Sequence, residues 1–94
     1  MRDMKGETMF KSGDIVQHFK RGMLSQAELE AEPNMYLYEI VGEAEHTETG
    51  EILMVYRPLY GAGGLYARPL EMFHSKVDRE KYPNAAQELR FTKV

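Results

Sequence analysis

His46-Thr47-Glu48-Thr49-Gly50-Glu51 separates two runs rich in aromatic and β-branched residues: Tyr36-Leu37-Tyr38-Glu39-Ile40-Val41 before it and Ile52-Leu53-Met54-Val55-Tyr56-Arg57 after it. Such runs on either side of a short polar connection predict an antiparallel hairpin, with Gly50 supplying the positive φ that the loop needs. Gly42 interrupts the first run, which otherwise spans residues 35–45, and predicts a bulge or sharp bend there. The fold class is therefore β, and the remaining elements arrange themselves around this pair.

Toward the N-terminus, Ile15, Gln17 and Phe19 alternate with Val16, His18 and Lys20, a short strand introduced by Gly13-Asp14. Residues 1–12 are polar and aperiodic, and are expected to form a loosely ordered arm or at most an edge strand. Between the first two strands, Ser25-Gln26-Ala27-Glu28 has the spacing of a capping box and predicts a helix over residues 26–32, stopped by Pro33. Glu28, Glu30 and Glu32 on that excursion read as a solvated face rather than a cation site.

Toward the C-terminus, Gly61-Ala62-Gly63-Gly64 is a flexible connection, and residues 65–68 form a fourth strand cut by Pro69. Residues 70–73 and 78–82 each suit one helical turn, the second with Asp78 at its start. Leu89, Phe91 and Lys93 then alternate with Arg90, Thr92 and Val94, which predicts a closing edge strand. The expectation is a mainly β domain over residues 13–94, a small SH3-like roll or partly open barrel of about five strands with one or two helical turns.

The 94 residues fit one core, and 43% hydrophobic content is enough to fill it. Cysteine is absent, so disulfides, thiolate chemistry and cysteine-ligated metals are excluded. No run approaches the roughly 18–20 apolar residues of a membrane helix. The N-terminal residues do not resemble a secretory signal, so a cytoplasmic location and no membrane partner are expected. A net charge of −3 argues against a field that would attract nucleic acid over the whole surface, though it leaves room for a local basic patch.

Three blocks, His46 through Glu51, Val55-Tyr56-Arg57-Pro58-Leu59-Tyr60-Gly61 and Ala67-Arg68-Pro69-Leu70-Glu71-Met72-Phe73, resemble in order and spacing the family known as domain of unknown function 1653. The likeness extends from His18-Phe19-Lys20 to Arg90-Phe91. Members of that family often carry alanine where Pro58 stands and tryptophan near Tyr66, and residues 21–34 look like an insertion relative to shorter members. The resemblance implies a small bacterial SH3-like roll and carries no established activity or catalytic residue.

Three groups of residues are candidates for function. In the turn, Thr47 and Thr49 with Glu48 and Glu51 can brace the hairpin through nearby amides. Its functional alternative is a polar cluster of His46, Glu48 and Glu51, either a metal site, for which one histidine and two carboxylates are a weak signature, or an acid–base pair of His46 with Glu48 or Glu51 in a small enzyme. On the third strand, Tyr56 and Tyr60 share one face and Arg57 the other; together with Arg68 they suit a pocket or groove for an anionic or aromatic ligand, whether peptide, nucleic acid or small molecule. The plain reading is that the tyrosines fill a thin core and the arginines make ordinary ion pairs. The third group, His18, His46 and His74, shows no local metal motif, and no cofactor is expected. A non-enzymatic binding module using Tyr56, Arg57, Tyr60, Arg68 and His46 is the leading expectation. A homodimer joined through exposed aromatics is the alternative.

Overall fold

The computed structural model describes residues 10–94 of the chain. Most of the expected N-terminal arm, and the edge strand considered for it, lies outside the described residues.

The hairpin joins β2 (Leu37–Glu45) to β3 (Ile52–Pro58), with Tyr38 opposite Pro58 and Glu45 opposite Ile52. Within the turn, the His46 amide donates to the Glu51 carbonyl at 2.7 Å and the Gly50 amide to the His46 carbonyl at 2.8 Å; Gly50 has φ 77°. The interruption at Gly42 is a β-bulge. Pairing passes from Ile40 opposite Tyr56 to Gly42 opposite Val55, which leaves Val41 unpaired and 41% exposed. Gly42 has φ 154°, a conformation L side chains rarely adopt.

Around this pair, β1 (Ile15–His18) lies against β2, β4 (Tyr66–Pro69) against β3, and β5 (Phe91–Lys93) returns to pair with β1. The order is β4-β3-β2-β1-β5, antiparallel throughout. A last strand that returns beside the first is the connectivity of an SH3-like roll, here left open between its edges β4 and β5.

Local chemistry sets the element ends. The first strand stops at His18, two residues short of the alternating pattern, because His18 Nδ1 accepts from the Lys20 amide at 3.1 Å and starts a 3-10 helix over Phe19–Met23. The capping box forms in full: Ser25 Oγ accepts from the Glu28 amide at 3.1 Å, and Glu28 Oε1 accepts from the Ser25 amide at 2.8 Å. It opens α1 (Gln26–Ala31), and α2 (Leu70–Phe73) occupies the predicted positions. Residues 78–82 make a hydrogen-bonded turn instead of a helix. There the Asp78 carbonyl accepts from the Tyr82 amide at 2.8 Å and Asp78 Oδ1 from the Glu80 amide at 3.0 Å. Leu89 forms only an isolated bridge with Lys76, so β5 is shorter than the alternation over residues 89–94.

The main core gathers Phe10, Val16, Tyr38, Ile40, Met54, Tyr56, Phe73 and Phe91. Phe10 belongs to it although it falls within the segment expected as an arm. Phe73 from α2 and Phe91 from β5 stack with centroids 4.0 Å apart, and Tyr56 and Tyr38 meet Phe91 edge-on at 5.5 and 5.7 Å. A second, smaller cluster of Phe19, Val77 and Ala85, flanked by Tyr82, pins the segment before β5 to the end of β1. Gln87 ties the same segment down by donating to the carbonyls of Gln17 and Leu89 at 3.2 and 2.8 Å.

Gly42 offers a direct test of the bulge. In urea unfolding, Gly42→Ala should lose about 1–3 kcal/mol through backbone strain alone, since a Cβ there meets nothing within 4 Å. Gly22→Ala in the 3-10 helix, where the space is equally open and φ is ordinary, should be neutral or stabilise by up to about 1 kcal/mol. Equal effects at the two positions would show that the bulge does not require glycine.

Candidate functional site

Alternation along β3 decides where the expected site residues go. Met54 and Tyr56 are 1% and 3% exposed and Pro58 is buried, so this face is the core, and Arg57 projects from the opposite face. Arg57 Nε and Nη2 donate to Glu39 Oε1 at 3.0 and 2.7 Å across the β2–β3 ladder, an ordinary exposed pair. Tyr56, Arg57, Tyr60 and Arg68 therefore do not share one surface. Tyr56 is no exposed platform, because Phe73 and Phe91 cover it.

The inward face does bring three of the four together. Arg68 lies opposite Met54 on the edge strand β4, and its Nε donates to the Tyr56 hydroxyl at 3.2 Å. Tyr38, between Tyr56 and Tyr60, shares a 2.8 Å hydrogen bond with the Tyr60 hydroxyl. Burial, with help from that bond, pushes the Tyr38 phenol far above its usual range, so it stays neutral.

His46 stands elsewhere. Its Nδ1 accepts from the amides of Glu48 and Thr49 at 3.2 and 3.4 Å, and Thr49 Oγ1 accepts from the Glu51 amide at 3.1 Å. The imidazole thus braces the turn. Glu51 pairs with His46, and six residues of strand at roughly 3.3 Å each separate Glu51 from Arg57, so His46 and Arg57 are about 20 Å apart. The three histidines are also dispersed. His18 lies at the end of β1, and His74 stacks on Phe10 at 5.4 Å, with its ring nitrogens buried and without a hydrogen-bond partner among the described residues. Burial lowers the pKa of His74, and Glu43 opposes the shift. Among the described residues, no group of three or more histidines and carboxylates is placed to hold a metal.

Arg68 reaches a second environment that the strand reading missed. Beside it, a cavity of about 290 Å³ is walled by His18, Phe19 and Lys20 at the end of β1, by Arg90 just before β5, and by Val77, Asp78, Lys81 and Tyr82 of the intervening segment. It spans the open side of the roll, drawing on β4 at one edge and on the approach to β5 at the other. Four cations, Lys20, Arg68, Lys81 and Arg90, face one carboxylate, Asp78, whose Oδ1 accepts from the backbone amides of Glu80 and Lys81. The cavity carries a formal charge of +3 inside a chain whose net charge is −3.

Packing places these cations. The Lys20 ammonium lies 5.6 Å from the centroid of the Tyr82 ring. Arg90 Nε donates to the Met72 carbonyl and to Ser75 Oγ, each at 3.1 Å. None of the four cations forms an ion pair with a carboxylate among the described residues. The effect registers on His18: burial, followed by the charges of Arg90, Lys20 and Arg68, pushes its pKa down to about 4. With Nδ1 accepting from the Lys20 amide, the neutral ring carries its proton on Nε2, an uncharged donor beside the cations.

Lys20, Lys81 and Arg90 drew no notice in the sequence because they stand far apart along it. The available signal was the pairing of the first and last strands: His18 opposite Phe91 brings the residues on either side of them together.

Fold and cavity together define a small all-β roll with a cationic cleft at its open side. The chain belongs to the family described as Protein of unknown function (DUF1653), whose model matches residues 14–93. No curated protein and no solved structure matches it. Among the described residues, no helix is long and apolar enough to cross a membrane.

The depressed pKa of His18 has a measurable consequence for stability. The unfolded chain takes up this proton near the ordinary value of 6.5, while the folded chain holds out until about 4. The unfolded state therefore binds more protons in that window, and stability is full above it and falls as pH drops through it. The urea midpoint should fall between pH 7 and pH 5, and His18→Asn should flatten part of that slope; His74 contributes in the same direction. An NMR titration placing the His18 ring near 6.5 in the folded protein would overturn the assignment.

Proposed function

We propose that this domain is a non-enzymatic binding module whose cleft holds an anionic group, a phosphate or carboxylate, between Arg68, Arg90, Lys20 and Lys81. The observation that carries this reading is the concentration around one cavity of four cations that have no carboxylate ion-pair partner among the described residues, in an otherwise acidic chain. An arrangement that gathers four cations around a single carboxylate is costly unless a counterion fills it, and arginine's planar fork suits phosphate and carboxylate alike. Tyr56 serves by orienting Arg68, and His18 adds an uncharged donor that does not switch off between pH 5 and 8. The turn at His46 and the outward pair of Arg57 with Glu39 take structural roles in this reading.

Titration with inorganic phosphate at low ionic strength, followed by NMR, tests it. Resonances of His18, Arg68, Lys81 and Arg90 should shift together, and the pKa of His18 should rise when the anion is bound. Removing two cations with Lys20→Gln and Lys81→Gln should weaken binding roughly five- to thirtyfold, at about 0.5–1 kcal/mol for each partly exposed charge. Absence of shifts at these residues up to saturating phosphate would sink the proposal.

A further inference from the structure

Arg68 also lines a second, more open depression of about 430 Å³, together with Tyr66, Ala67, Pro69, Met72 and the edge of Tyr56. Its character is the opposite of the cationic cleft. Tyr66, on the edge strand β4, and Met72, on α2, are 45% and 47% exposed, large apolar residues that line the same depression. Tyr66 is held on its inner side by Tyr56, edge-on at 5.7 Å, and by Tyr38 at 6.3 Å, so the ring is fixed in place while nearly half of the residue meets solvent. A rigid, half-exposed tyrosine is a stacking platform that loses little conformational freedom when something lies on it. Between the platform and the cleft stands the Arg68 side chain, anchored through Nε to the Tyr56 hydroxyl.

Resting on the anion-binding reading above, the geometry points to a nucleoside monophosphate as the ligand: its phosphate in the cleft, its base on Tyr66 and Met72, and its ribose across Arg68. Three features select this class. Arg68 lines both seats, so a ligand that fills both must cross its side chain and needs a spacer between phosphate and ring, which ribose supplies and a phenyl phosphate lacks. The cleft's excess of +3 suits a phosphate dianion. The net charge of −3 over the whole chain disfavours a long polyanion, which sets a single nucleotide above a nucleic-acid strand.

Calorimetry on the full chain with four probes tests this: inorganic phosphate, ribose 5-phosphate, adenosine 5′-monophosphate and phenyl phosphate. The nucleotide should bind about tenfold or more tighter than ribose 5-phosphate, as expected for one stacked base. Tyr66→Ala, at an exposed position, should lower nucleotide affinity to that of ribose 5-phosphate and leave ribose 5-phosphate unchanged, while Tyr66→Phe should retain the nucleotide. If ribose 5-phosphate and the nucleotide bind equally, the base seat is wrong and the anion site stands. If phenyl phosphate matches the nucleotide, the spacer argument fails and a phosphorylated aromatic residue is the better ligand. If none of the four binds, the anion-binding reading falls, and this inference with it.

Discussion

The orientation of β3 is the constraint from which the rest of the molecule follows. A strand offers only two faces, and once Met54, Tyr56 and Pro58 point inward, Leu53, Val55 and Arg57 cannot. Arg57 then finds its carboxylate on the adjacent strand, at Glu39, and is spent on the outer surface. Arg68, opposite Met54, is carried to the inner side, where the Tyr56 hydroxyl fixes its guanidinium at the mouth of the roll. One parity decision thus separates two arginines, leaving one in an ordinary ion pair and the other at the cleft.

What settles that parity is an aromatic contact made over long sequence distances. Tyr56 meets Phe73 at 5.0 Å and Phe91 at 5.5 Å, and those two rings stack on each other. In a domain of this size the core is a single layer of such rings, and each pair adds roughly 0.5–1.5 kcal/mol beyond its area. The same layer cannot close the sheet. Five short strands leave β4 and β5 as separate edges, and the polar cleft lies on the side where closure fails. Openness and site are therefore two consequences of the same small strand count.

Much of this was legible in the sequence wherever the cause was local. The capping box at Ser25, the bulge at Gly42, the helical turn at 70–73 and the hairpin at 46–51 each depend on residues within a few positions of one another. The face of β3 was not legible, because Leu53 and Val55 compete with Met54 and Tyr56 in hydrophobicity, and the deciding partners come from α2 and β5. Nor was the cleft. Lys20, Arg68, Lys81 and Arg90 are brought together by the pairing of β1 with β5 and by the packing of Phe19 against Val77, Ala85 and Tyr82. His46 shows a milder form of the same limit. Its place in the turn was plain from the sequence, but its use as an acceptor for two amides depends on side-chain geometry.

Net charge left room for a local basic patch but could not place it, and its place bears on how the domain would meet a ligand. The average of −3 hides an uneven distribution: Glu43, Glu45, Glu48 and Glu51 crowd the hairpin, at one end of the long β2–β3 ribbon. The cations of the cleft gather near the other end, where β2 begins beside His18 and Tyr36. Nine residues of β2 at roughly 3.3 Å each place about 27–30 Å between these regions, between three and four Debye lengths at physiological ionic strength. At that distance the hairpin's negative charge hardly lowers the positive potential of the cleft. The hairpin that fixes the fold also keeps its carboxylates away from the arginines they would otherwise neutralise.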